Sequence, residues 1–246
     1  MATLLSLRDV SLTFSRRHHE QHLLRCVSMD LAAVELVAVL AQPAQGKSTL
    51  LRVAAGVQRP EEGAMFFDGI DVWSQSRRAR GRLLADGHIC LLENGRPEVD
   101  LTVRELVALP LLRLWKRREA YARADDALRR VELMECADER WGRLADMERA
   151  LLMLARAAAR EPRMVLLDDL MGSLSLVNSE IVGRLLRSLA EEIGFAVLMS
   201  VADIGSTTWC DRTGSLAGGH LQFARDDEDA TIIEFPRPDH ARRAAT

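Results

Sequence analysis

At 246 residues the chain has room for one large α/β domain, or one domain with a small appendage. Its 48% hydrophobic and 28% charged content suits a real core under an ordinary solvated surface, and a net charge of −3 leaves no global basic field to argue for nucleic acid. The start, MATLLSLRDV, lacks the basic-then-apolar pattern of a signal peptide, and the longest apolar stretches, near 31–41 and 150–159, carry Glu35 and Arg156 and are too short to span a bilayer.

In chain order, residues 4–14 (LLSLRDVSLTF) and 24–31 (LRCVSMDL) alternate apolar and polar side chains and predict antiparallel strands, with RRHHEQH between them as a polar turn. His18, His19 and His22 fall in that turn, but no cysteine or carboxylate pattern accompanies them, so a solvated turn is expected and not a metal site. Residues 35–40 (ELVAVL) form a continuous apolar run, the pattern of a strand buried on both faces. A helix follows over Ser48–Ala55, ended by Gly56 and Pro60, and AMFFDGIDV (64–72) predicts a hairpin turning at Asp68-Gly69. The basic SRRARGRLL (76–84) reads as a solvated helix face.

Residues 101–160 change character, becoming rich in Arg, Ala and Leu at helical spacing, and predict a helical subdomain inserted in the α/β core. The α/β pattern returns with MVLLDD (164–169), a helix over 177–193 and FAVLMS (195–200). After a folded domain over 1–222, residues 223–246 are polar, of mixed charge and broken by prolines, and are expected to be a disordered tail. Cys26, Cys90, Cys136 and Cys210 are scattered without metal-ligand spacing and read as reduced thiols of a cytosolic protein.

Chemistry concentrates where ELVAVL meets the helix. The stretch AVLAQPAQGKSTLLR keeps Gly46, Lys47, Ser48 and Thr49 of the loop G-x-x-x-x-G-K-[ST], but Ala41 replaces its first glycine and Ala44 stands where many such loops carry another. Following a buried strand and opening a helix, these residues direct backbone N–H groups at a phosphate. Lys47 would reach the β- and γ-phosphates, and Ser48 would ligate Mg²⁺. About 120 residues later MVLLDD supplies Asp168 and Asp169 at a strand end, the usual second half of a magnesium site.

The chain resembles the ATP-binding subunits of ABC transporters over roughly residues 4–222. LRDVSLTF, LLRCVSMDL and LLRVAAGVQRPEEGAMFFDGIDV follow that family's order and spacing, LARAAAREPRMVLLDD matches its signature helix and magnesium-binding strand, and CDRTGSLAGGHL its closing strand pair. It is most similar to the lipoprotein-release, macrolide-export and cell-division branch. The resemblance implies a P-loop α/β core with an N-terminal antiparallel β subdomain and an inserted helical subdomain. It also implies ATP and Mg²⁺ as ligands: Phe14 on the adenine; Ala44, Gln45, Gly46, Lys47, Ser48 and Thr49 around the phosphates; Ser48 and Asp168 on the metal; Glu93 where the family's glutamine meets Mg²⁺ and the attacking water. DLTVRELVALPL (100–111) looks like the segment that grips a transmembrane permease. A second ATP-binding subunit, at the cytoplasmic face of the membrane, would complete the assembly.

The hydrolytic parts depart from the family. Its signature loop, Leu-Ser-Gly-Gly-Gln, falls on Leu144, Ala145, Asp146, Met147 and Glu148, so two carboxylates replace donors that meet the opposite chain's γ-phosphate. Two like charges 4 Å apart repel by about 4 kcal/mol at an effective dielectric of 20. The general-base position is Asp169, with a carboxylate about 1.5 Å shorter in reach than glutamate's. The switch histidine falls on Ala202, and Ser175 replaces an aspartate. Three functions remain open on these residues: a transport ATP-binding subunit with weak or lost hydrolysis, a regulatory pseudo-ATPase module, and an active ATPase with unusual loops.

Overall fold

The structure, a computed structural model, describes residues 2–16, 19–85, 88–93 and 100–223. The chain begins with two long antiparallel strands, β1 (Thr3–Arg16) and β2 (His19–Ala32), paired from Thr3↔Ala32 to Arg16↔His19. The reversal expected in RRHHEQH falls between Arg16 and His19, residues 17 and 18 lying outside the described residues, but the pairing runs further into the segment than polarity suggested. β2 is an edge strand, so its ladder tolerates polar side chains that face solvent. β4 (Glu62–Phe67) joins the free side of β1, and β5 (Ile70–Asp71) returns from it, giving a sheet ordered β2-β1-β4-β5. The turn between them has φ +51° at Asp68 and +75° at Gly69, the two positive values that a tight two-residue hairpin needs. Arg163 clamps that turn with hydrogen bonds of 2.6 and 3.0 Å to the Asp68 carboxylate.

The second sheet contains β3 (Leu36–Leu40), β6 (Ile89–Glu93), β7 (Met164–Asp168), β8 (Ala196–Val201), β9 (Arg212–Ala217) and β10 (His220–Phe223) in the order β10-β9-β3-β8-β7-β6. β3, β6, β7, β8 and β9 run parallel, and β10 closes antiparallel on β9. Every residue of β3 and β8 is buried, because alternate side chains enter different cores. Leu36, Ala38 and Leu40, with Val197, Met199 and Val201, join the cluster formed by the helices. Val37 and Val39, with Ala196 and Leu198, join a second cluster with the antiparallel sheet and helix α1 (Lys47–Ala54). This is why the strands read as unbroken apolar runs.

Between β6 and β7 lie α3 (Val103–Ala108), a 3₁₀ turn over Leu109–Arg113, α4 (Arg117–Arg130) and α5 (Asp146–Ala158). Thr102 and Glu105 form a reciprocal cap on α3: the Thr102 hydroxyl accepts from Glu105 N, and Thr102 N donates to the Glu105 carboxylate at 2.9 Å. Arg104 then ties α3 to its neighbours through Asp125 and Asp138, both at 2.7 Å. α2 (Arg77–Ala85) carries the basic segment, with Arg80 stacked 4.4 Å over Trp73, and α6 (Leu176–Ile193) covers the sheet before β8. The expected tail lies outside the described residues except for Phe223, which ends β10 under the Arg212 guanidinium. Among the described residues no helix is long and apolar enough to cross a membrane.

Candidate nucleotide site

β3 delivers the chain into the phosphate loop, and α1 begins at Lys47. Gly46 has φ +95°, and a Cβ there would sit 2.5 Å from the Leu23 carbonyl oxygen, so conformation and space both require glycine. Ala44 has φ +62° without that licence, at a cost of about 1–2 kcal/mol. Two contacts hold the loop in this shape: Gln21 Nε2 donates to the Ala44 carbonyl at 3.1 Å, and Gly218 N donates to Gln45 Oε1 at 3.3 Å. Lys47, Ser48 and Thr49 are half-buried in the first turn of α1. That turn has neither a side-chain cap nor an acidic residue, so the positive end of the helix and its backbone donors are presented to an anion.

Phe14 is 52% exposed on β1 and pairs across the hairpin with Gln21, the residue that touches the phosphate loop. The expected adenine platform is thereby one cross-strand step from the loop. An exposed aromatic ring in that position offers a stacking face.

Because β3, β8, β7 and β6 are parallel, their C-terminal ends share one edge of the sheet, the usual place for a ligand in such folds. Asp168 ends β7 in register with Glu93 at the end of β6. β8 separates β3 from β7, which sets the phosphate loop and Asp168 about 10 Å apart at two strand spacings. Ser200 Oγ donates to Asp168 Oδ1 at 2.8 Å and accepts from Asp169 N at 2.9 Å. Asp169 has φ +55°, and its carboxylate is packed over Gly172, where a Cβ would meet Oδ1 at 2.5 Å. Glu93 Oε1 accepts from Arg52 Nε and Nη2 at 2.9 and 2.7 Å, so the phosphate-loop helix itself neutralises that carboxylate. Ala202 is exposed just beyond β8.

Ser48 and Asp168 supply hard oxygen donors that fit Mg²⁺, which is normally held by one or two side chains plus substrate phosphates. Among the described residues no cluster of three His, Cys, Asp or Glu could hold a metal ion.

The loop expected to meet a partner's nucleotide is built differently. Leu144 is buried, and Ala145 N donates to Glu148 Oε2 at 2.7 Å. With alanine at the cap position, this single bond is the half of a capping box that the sequence allows. Glu148 is therefore turned onto its own helix, where its second oxygen also receives Cys136 Sγ at 3.5 Å. Asp146 pairs with Arg149 at 2.9 Å. The charges that sequence reading aimed at a triphosphate are engaged at the start of α5. Ser175 likewise caps α6 by accepting from Asn178 N. Gln21, Arg52 and Ser200, all structurally engaged with the site, were missed by sequence reading.

A phosphate loop between a buried parallel strand and a helix, with an acidic strand end on the same sheet edge, defines an α/β P-loop nucleotide-binding domain. Residues 24–172 match the family described as ABC transporter, and the chain belongs to the ATP-binding domains of that family. It is 32% identical over 242 residues to the nickel import ATP-binding protein NikE of Shigella flexneri, spanning 91% of this chain and 90% of that protein. It is 30% identical over 224 residues to the lipoprotein-releasing system ATP-binding protein LolD 2 of Caulobacter vibrioides, spanning 90% and 97%. The solved dimeric structure of MJ0796, a bacterial ABC transporter cassette, superposes with a TM-score of 0.79 at 25% identity, covering 89% of this chain and 96% of that one. A post-hydrolysis state of the same cassette, bound to ADP and Pi, shares the fold at a TM-score of 0.80. The α/β cassette fold with its antiparallel subdomain is as the sequence predicts.

Proposed function

We propose that this chain is the ATP-binding subunit of a membrane transport or remodelling complex and that it grips Mg·ATP while hydrolysing it weakly or not at all. The observation that carries this reading is the contrast at the two adjacent aspartates. Asp168 stands at the strand end beside the helix of the phosphate loop, whereas the carboxylate of Asp169 is packed over Gly172 in its own turn. Lys47 and the N-terminus of α1 hold the phosphates, Ser48 and Asp168 hold the cation, and Phe14 covers the base. A bound Mg²⁺ would neutralise the phosphate charge. Activating a water needs a base within hydrogen-bond reach, and Asp169 is short and turned aside, while Ala202 offers no polar group.

On this reading the chain is the passive half of a mixed cassette dimer at the cytoplasmic face, and turnover arises at the site built on an intact partner's phosphate loop. The permease contact falls on the segment 100–111 and its continuation, where Leu109, Leu112 and Leu114 are 42–48% exposed. A second reading, a regulatory module that works without nucleotide, is favoured by the strained φ at Ala44. Titration with a fluorescent ATP analogue separates the two. Saturable binding, weakened roughly tenfold or more by Lys47→Ala through loss of a charge-assisted contact, is expected. Absent binding would leave the second reading, and robust ATPase activity of the purified chain that Lys47→Ala abolishes would refute both.

A further inference from the structure

Ser200 is a lone hydroxyl in an otherwise apolar β8, and it is 1% exposed. A buried hydroxyl in such a place needs partners, and its two partners are successive residues of the neighbouring segment: it donates to Asp168 Oδ1 at 2.8 Å and accepts from Asp169 N at 2.9 Å. These bonds act on different degrees of freedom. The first fixes the rotation of the Asp168 carboxylate, committing one oxygen to Ser200 and leaving the other for a cation. The second holds the Asp169 N–H at the point where the backbone turns to φ +55°, a conformation unfavourable for a residue with a Cβ. That turn in turn lays the Asp169 carboxylate over Gly172.

We propose that Ser200 is a positioning residue of the nucleotide site, one hydroxyl that orients Asp168 towards the metal and keeps Asp169 folded into its own turn. The proposal rests on the reading that this edge binds Mg·ATP. A carboxylate that ligates a metal is tuned by the donor behind it, and losing such a donor typically weakens metal affinity 10–100-fold. Ser200 is buried and bonded to Asp168 and Asp169, so the phosphate contacts assigned to Lys47 and α1 do not depend on it. Metal affinity and metal-free nucleotide affinity therefore respond separately.

The test uses the full chain in two titrations. Mn²⁺ is added to protein saturated with a non-hydrolysable ATP analogue, with free Mn²⁺ read by electron paramagnetic resonance, and the fluorescent analogue is titrated in EDTA. Ser200→Ala should weaken Mn²⁺ binding at least tenfold and leave the EDTA titration within about twofold of wild type. Ser200→Cys, with a thiol that is a weak donor, should shift Mn²⁺ binding in the same direction by less, and it replaces alanine if Ser200→Ala does not fold. Unchanged Mn²⁺ affinity, or equal losses in both titrations, overturns the proposal. Wild-type protein that binds no analogue with or without metal overturns the nucleotide reading and this proposal with it.

Discussion

The phosphate-loop edge and the start of α5 both carry residues other than those the sequence resemblance leads us to expect, and the structure holds them in opposite ways. At the phosphate loop Ala44 takes φ +62°, with Gln21 donating to its carbonyl and Gln45 accepting from Gly218 N. At α5 the new residues serve the chain itself, since Glu148 caps the helix it begins and Asp146 pairs with Arg149. A strained conformation persists only where the surrounding fold restrains it, and here the restraint comes from β1–β2 and the β9–β10 turn. Charged residues bonded within their own helix leave their local geometry set by the chain itself.

The sharpest way to break this comparison is Gly46→Ala. The added Cβ would meet the Leu23 carbonyl at 2.5 Å in a left-handed conformation, so strain and overpacking together should cost roughly 2–5 kcal/mol. At about 2–4 °C per kcal/mol the melting temperature should fall by about 4–20 °C, and a fall of less than 2 °C in differential scanning fluorimetry would show a loop loose enough to accept the added Cβ. A smaller effect probes the other region. Glu148→Ala removes the bond that Glu148 makes to Ala145 N at the start of α5 and should cost about 1 kcal/mol, near 2–4 °C, without altering association with an intact cassette in sedimentation velocity. Tighter association with no loss of stability would mean that Glu148 still faces a partner. The smallest effect is expected from Ala44→Gly. Relief of about 1–2 kcal/mol of strain is partly offset by about 0.4–1 kcal/mol from the freer unfolded chain. A rise of one to a few degrees in fluorimetry is expected, and a fall would show that Ala44 is unstrained.

Much of this was legible in the sequence. The apolar run of β3, the helix opened by Gly46-Lys47-Ser48-Thr49, the Asp168 strand end and the hairpin at Asp68-Gly69 each announce themselves within a few consecutive residues. What escaped acts between segments. Gln21 reaches the phosphate loop across 23 positions, Ser200 reaches Asp168 across 32, and Arg52 reaches Glu93 across 41. No local pattern encodes such a bond, because each partner alone is an ordinary polar residue and the sheet order brings them together. Glu148 is the instructive miss. Its position three residues after Ala145 was a capping signal in plain view, but its charge was weighed ahead of its reach.

The alternation of β3 and β8 between two cores makes the parallel sheet a party wall. Leu36 and Val37 are neighbours in the chain, yet one is bedded among the helices and the other against the antiparallel sheet. Neither room can be emptied without stripping one side of the masonry the other leans on. The antiparallel β subdomain and the helical subdomain are thus packed against opposite faces of one sheet, through residues a single peptide bond apart.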